Sequence, residues 1–217
     1  MAKKSLEPLS VEELKSLLAT DRENADLNYE LGVALARQGD MGLACRQWRR
    51  TLELDPANSG ARYFLGMAYL SQGNLSQAIA QYRAAIKADP NDYYAYNNLG
   101  LVLARQQHFE DSIQCWRRAL EIKSDYGQAH YNLGLVYSRL GQADQAVEEY
   151  RCALDLNPND VYARNNLGQI FARQGRVELA EQEFMRALTV DPLDLWESDP
   201  FGPKIVDAAT GPQIFGR

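Results

Sequence analysis

Apolar residues along this chain recur at the i, i+3, i+4 spacing of amphipathic helices, and the helical pattern itself recurs. Around Asn97-Asn98-Leu99-Gly100-Leu101-Val102-Leu103-Ala104 lie near-copies of that stretch. Leu-Gly stands at Leu31-Gly32, Leu65-Gly66, Leu99-Gly100, Leu133-Gly134 and Leu167-Gly168, each step being 34 residues with no insertion or deletion. Every period holds two helical segments separated by a break: Gln38-Gly39-Asp40, Gln72-Gly73-Asn74, Gln106-Gln107-His108, Leu140-Gly141-Gln142 and Gln174-Gly175-Arg176. A glycine in the break predicts a first helix that ends in the left-handed conformation. Asp55-Pro56, Asp89-Pro90, Asn157-Pro158 and Asp191-Pro192 end the second helix, because the residue before a proline is pushed out of the helical region. Ser124 replaces the proline in the third period, which predicts a less sharply stopped junction there. A chain that is self-similar at such a period builds a one-dimensional array of helix pairs, not a globule around a central site.

The period divides residues 25–194 into five units, 25–58, 59–92, 93–126, 127–160 and 161–194. Residues 1–9 are charged and proline-punctuated and read as a loose terminus. Ser10-Val11-Glu12-Glu13 then fits a capping box, followed on one face by Val11, Leu14, Leu17 and Leu18. Residues 10–24 therefore read as a capping helix over the apolar edge of the array. After residue 194 the helical pattern stops. The tail 195–217 carries Leu195, Trp196, Phe201, Ile205 and Val206, too apolar to stay wholly in water. Part of it is expected to cap the fifth unit; docking on a partner, or on the protein's own groove, is the other reading.

These residues resemble the tetratricopeptide repeat, whose 34-residue pattern sets Leu-Gly, Tyr, Ala, an aromatic, Ala and Pro at fixed positions. The fourth unit matches it with Leu133, Gly134, Tyr137, Ala146, Tyr150, Ala153 and Pro158, and the fifth with Leu167, Gly168, Phe171, Ala180, Phe184, Ala187 and Pro192. Leu35 and Leu103 depart at the tyrosine, Ser112 and Thr51 at the two alanines, and Asn28, Arg62 and Arg164 at the aromatic opening position. The resemblance covers 170 of 217 residues. It implies an all-α fold, an α-solenoid in which five tandem helix-turn-helix repeats form a right-handed superhelix with a concave inner face. The glycines and alanines let helices of a pair approach closely, and Trp48, Tyr82, Trp116, Tyr150 and Phe184 are expected to fill the space between successive pairs.

Positions on the first helix of each unit can be sorted by angle, at about 100° per residue. Leu-Gly and the following aromatic fall on the buried side. The second, fifth, sixth, ninth and thirteenth residues of each unit fall within about 60° of one another's mean direction on the opposite side. That stripe is the candidate peptide-binding groove, and it contains Tyr29, Tyr63, Tyr94, Asn97, Asn98, Arg105, Gln128, Tyr131, Asn132, Arg139, Tyr162, Asn165, Asn166 and Arg173. Asn98, Asn132 and Asn166 form a ladder whose amides can both donate to and accept from a peptide backbone. Arg105, Arg139 and Arg173 run beside it with planar donors for carboxylates. The ladder resembles that in the repeat domain of the protein O-linked N-acetylglucosamine transferases; a solvated polar face is the plain alternative. The tyrosines read either as ligand anchors or as braces for the neighbouring helix. The lysine and asparagine clamp of chaperone-docking repeats is not matched, since the first unit has Tyr29 and Val33 at its first two positions.

Charge and chemistry narrow the function. With 23 basic against 29 acidic residues, the formal charge of −6 gives no general attraction to nucleic acid or anionic membranes. No apolar run reaches the roughly 18 residues of a membrane span and no signal core follows Met1, so a cytoplasmic protein is expected. Cys45, Cys115 and Cys152 stand singly in helical segments, and neither His108 nor His130 has a partner at ligand spacing. No nucleophile elbow, phosphate loop or zinc-protease motif is present, so no catalytic residue, metal or cofactor is implied. The expectation is a non-catalytic scaffold or assembly adaptor that binds a protein or peptide segment. The alternatives are a regulatory or substrate-binding subunit of an enzyme on another chain, and an RNA-binding helical repeat protein.

Overall fold

The computed structural model describes residues 9–189. All the regular structure among the described residues is helical, as expected for an all-α helical repeat solenoid, and it falls into two compact units, Met1–Pro90 and Asn91–Arg217. The first holds α1 (Val11–Thr20), α2 (Ala25–Arg37), α3 (Met41–Leu54), α4 (Ser59–Ser71) and α5 (Leu75–Ala88). The second holds α6 (Tyr93–Arg105), α7 (Phe109–Ile122), α8 (Gly127–Arg139), α9 (Ala143–Leu156), α10 (Val161–Arg173) and α11 (Val177–Leu188). The tail expected at 195–217 lies outside the described residues, as does the loose terminus at 1–9 apart from Leu9.

Short polar side chains start the helices. Ser10 and Glu13 form the reciprocal capping box, with the Ser10 N–H donating to Glu13 Oε2 at 2.8 Å and the Glu13 N–H donating to Ser10 Oγ at 3.3 Å. Asn24, Asn58, Asp92 and Asp160 accept from the third amide of α2, α4, α6 and α10, relieving one donor that has no helical partner. Between the helices of a pair, Gly39, Gly73, Gly141 and Gly175 take φ of 90°, 76°, 74° and 72°. Gln107 takes φ 64° at the same place in the third pair, a left-handed conformation that costs a residue with a Cβ about 1–2 kcal/mol.

The missing proline has no visible effect. Lys123, which caps α7, has φ −135° and ψ 93°, against −128° and 90° at Asp55 and −133° and 90° at Asn157. The junction expected to be loose is therefore stopped as sharply as the others. Its turn is closed by the Tyr126 N–H donating to the Lys123 carbonyl at 3.3 Å, matching Asn58 on Asp55 and Asp160 on Asn157. Tyr126 is itself buried, with its ring 5.0 Å from that of Tyr93 and 5.7 Å from that of Tyr94, while the Lys123 amine lies 5.0 Å from the Tyr93 ring centre. Aromatic packing and a cation–π contact hold here what proline holds elsewhere.

Within each pair the glycine of Leu-Gly lies under a ring of the second helix. A Cβ at Gly32 would meet Trp48 Nε1 at 2.5 Å, one at Gly66 would meet Tyr82 Cε1 at 2.6 Å, and one at Gly134 would meet Tyr150 Cε1 at 2.7 Å. The large aromatics thus fill the interior of their own pair first, a finer placement than the space between pairs. Trp48 reaches the next pair as well, stacking on Phe64 at 5.0 Å with planes 10° apart. Burying one such ring contributes on the order of 2–3 kcal/mol. At the start of the first unit, Val11 and Leu14 of α1 are buried in one cluster with Leu31, Leu35 and Trp48, while Leu17 stays exposed.

Two substitutions test this packing by urea denaturation of the full chain. Gly134→Ala drives a methyl into the fully buried Tyr150 and is expected to lower stability by about 1–3 kcal/mol; an unchanged midpoint would mean that the ring can move aside. Gln107→Gly is expected to raise stability, by up to about 1 kcal/mol, with the slope unchanged.

Candidate interaction surface

In the second unit the first helices of successive pairs, α6, α8 and α10, lie side by side and exchange polar contacts. Asn132 Nδ2 donates to Asn97 Oδ1 at 2.9 Å, and Asn166 Nδ2 makes a longer contact with the Tyr131 hydroxyl at 3.4 Å. Both link the sixth residue of one pair to the fifth of the preceding one. Asn98 Nδ2 donates to the Tyr94 carbonyl at 3.1 Å, and Trp116 Nε1 donates to the Asn97 carbonyl at 3.0 Å, tying α7 to α6.

These contacts narrow the stripe. Asn98 and Asn132 are 0% and 2% exposed, and Asn97, Tyr131 and Tyr63 are buried as well. The ladder expected to offer its amides outward has two of its three rungs inside the protein, and only Asn166 is half-exposed. The cause is angular. Fifth and sixth residues lie about 60° and 40° to either side of the second, so in a side-by-side array they point at the neighbouring first helices. Second, ninth and thirteenth residues lie within about 20° of the centre and point between those neighbours, although Leu101, at the ninth position of α6, is still buried. Accordingly Gln128, Arg139 and Arg173 are exposed, and Tyr94, Tyr162 and Arg105 are half-buried; Asn165, on the flank of α10, is half-buried too. Leu135 and Gln169, at the ninth position, complete that centre; their place within 20° of the stripe's axis was the signal for them.

The tyrosines of the first unit act as braces. A Cβ at Gly60 would lie 2.9 Å from Tyr29 Cε2, so that ring covers the start of α4, and Tyr29 also lies 6.0 Å from Phe64. Tyr63 packs 6.1 Å from Tyr82, and in the second unit Tyr131 repeats this at 5.9 Å from Tyr150. Burial pushes the Tyr131 hydroxyl well above the ordinary phenol value, so it stays protonated and able to donate.

Charge is sorted between the two kinds of helix. In the second unit α6, α8 and α10 contain no aspartate or glutamate, whereas α7, α9 and α11 carry Glu110, Asp111, Glu121, Asp144, Glu148, Glu149, Asp155, Glu178, Glu181 and Glu183. Arg105, Arg139 and Arg173 stand in the last turns of their helices, where the carbonyl ends of the backbone dipoles favour a cation. Two further cations of these helices meet a glutamate on the second helix of their own pair. His130 Nδ1 lies 2.7 Å from Glu149 Oε2, which raises the imidazole pKa, and Arg164 bonds Glu183 at 2.9 Å in the equivalent place. Among the described residues no group of His, Cys, Asp and Glu side chains is arranged to hold a metal, and no helix is long and apolar enough to cross a membrane. Cys45 and Cys152 are free thiols whose pKa burial raises, which makes them poor nucleophiles.

Comparison with known proteins agrees with this architecture. Family models described as tetratricopeptide repeat match residues 8–48 and 131–202, and 93–159, and one described as TPR repeat matches 66–107. No curated protein sequence matches the chain. Among solved structures, MamA is 28% identical over 73% of this chain and 92% of its own, with a TM-score of 0.67. YrrB, described as a TPR protein with an unusual peptide-binding site, is 20% identical over 84% of this chain and 94% of its own, with a TM-score of 0.69. PilF of Pseudomonas aeruginosa is 23% identical over 80% and 78%, with a TM-score of 0.71.

Asn132→Ala removes the donor to Asn97 Oδ1 and leaves that oxygen buried without it, so a loss of about 1–3 kcal/mol is expected in thermal or urea unfolding. Arg173→Ala, at an exposed position, is expected to stay within about 0.5 kcal/mol of the parent. Equal effects of the two would overturn the division between flank and centre.

Proposed function

Since the chain belongs to the tetratricopeptide repeat family, we propose that it is a non-catalytic scaffold whose first-helix face binds a segment of another protein. The observation that carries this reading is the exposed centre of the stripe in the second unit. Gln128, Arg139, Gln169 and Arg173 face solvent beside half-buried Tyr94, Leu135 and Tyr162, with Asn165, Asn166 and Arg105 at the margins. Such a strip offers apolar area for side chains, amides for a peptide backbone and guanidinium groups for carboxylates. The buried Asn97, Asn98, Asn132, Tyr63 and Tyr131, and the half-buried Tyr29, then support the array without touching the ligand. In this reading residues 25–194 are the binding array of five repeats and residues 10–24 its cap. Catalysis has no support, because the strip contains no carboxylate or histidine to serve as a paired acid and base.

The test is a screen of peptides against the full chain and against the Arg139→Glu/Arg173→Glu double variant. Peptides selected by the parent are expected to bind the variant at least tenfold more weakly while its melting curve is unchanged. Equal binding by both would move the site off this face, and selection of single-stranded RNA in place of peptides would replace the reading with the nucleic-acid alternative.

A further inference from the structure

The chain itself contains a segment matched to this face. Just beyond Thr189, the last described residue, Asp191, Asp194, Glu197 and Asp199 alternate with Leu193, Leu195, Trp196 and Phe201. That is four carboxylates and four large apolar side chains in eleven residues. Arg105, Arg139 and Arg173 on the face, with no carboxylate anywhere on α6, α8 and α10, complement it in charge, and Leu135 and Tyr162 offer it half-exposed apolar area. We propose that residues 191–201 occupy the first-helix face of α8 and α10 in the same chain, so that a partner must displace them. The proposal rests on the reading above that this face takes a peptide segment.

Connection and charge favour this seat over the nearer one. α11 is the antiparallel partner of α10, so the chain leaves α11 close to the start of α10. A 13-residue helix is about 20 Å long, and nine extended residues span about 30 Å. The segment is therefore long enough to follow α10 from Tyr162 to Arg173 and to reach Arg139 on α8. The end face of α11 is the alternative seat, and Met185 and Leu188 are exposed on that helix. Yet α11 carries Glu178 and Glu181 in addition to Glu183, whose charge is met by Arg164 and Arg186. Glu181 stands where the earlier second helices have Cys45, Ile79, Ile113 and Val147. An acidic segment is repelled there and attracted to the arginine row. An occupied face of this kind raises the apparent dissociation constant of any competing ligand by the inverse of the fraction of time that the face is open.

Full chain labelled with 5-fluorotryptophan tests the contact, because the protein has three tryptophans and two of them, Trp48 and Trp116, are 1% exposed. Trp196→Phe assigns the third resonance. In the parent that resonance is expected away from the position of a free synthetic peptide spanning 190–201, and Arg139→Glu/Arg173→Glu is expected to return it there without moving the other two. A free-peptide position in the parent, or a shifted resonance that ignores the charge reversal, overturns the proposal. So does a shift that disappears on dilution, which would assign the segment to a second copy of the chain. The full chain carrying D191N, D194N, E197Q and D199N is expected to bind the 190–201 peptide, or any peptide from the screen, at least tenfold tighter than the parent. If screened peptides bind the arginine face equally in both, self-occupancy fails and the peptide-binding reading stands. If no peptide binds that face even in the neutralised chain, the failure belongs to the peptide-binding reading.

Discussion

The contact on which the fold depends is a ring laid on a helix that has no side chain beneath it. In each pair the Leu-Gly glycine brings the backbone of the first helix against Trp48, Tyr82, Trp116, Tyr150 or Phe184 of the second. A Cβ at any of these five glycines would fall 2.5–2.8 Å from the ring, a gap that no rotamer change relieves when the ring is wholly buried. This close approach fixes the distance between the two helices of a pair. The first helices of the second unit lie near enough to exchange side-chain hydrogen bonds as a result.

That proximity decides what the face can present. A side chain on the flank of one first helix meets the flank of the next, and an amide placed there must find a partner or lose its hydration without return. Asn132 finds Asn97, and Asn166 reaches Tyr131. Residues on the middle line keep most of the contact with water, and in the second unit they include cations and no anions. The electrostatic character of the face thus follows from packing: burial takes Asn97, Asn98 and Asn132 off the surface, while the arginines stand at the helix ends.

The periodic features were legible in the sequence because each depends on a single helix or turn. The unbroken step between Leu-Gly pairs located the repeats, and four glycines announced the left-handed turns in which they sit. Gln107 and Ser124 show the limit of such local signals. The third pair lacks both the glycine and the proline, yet its dihedral angles follow those of its neighbours, since the same backbone hydrogen bonds close the Gln107 turn and packing around Tyr126 accompanies the Lys123 stop. The fate of the asparagines was not legible for a related reason. Angular sorting treats one helix in isolation, and whether a residue 40–60° off the centre is wet depends on how far away the next helix lies.

The offset bond between the sixth residue of one pair and the fifth of the one before has a modular consequence. Asn132 and Asn166 are equivalent residues, as are Asn97, Tyr131 and Asn165, and every pair has the same length. Excising one whole period, residues 127–160, would set Asn166 opposite Asn97, reproducing the amide-to-amide bond now made by Asn132. Duplicating that period would interpose another tyrosine and leave donor and acceptor matched at both seams. The number of copies is thus decoupled from the integrity of each joint, and an array of this kind can grow or shrink by gene duplication or loss without having to invent a new interface.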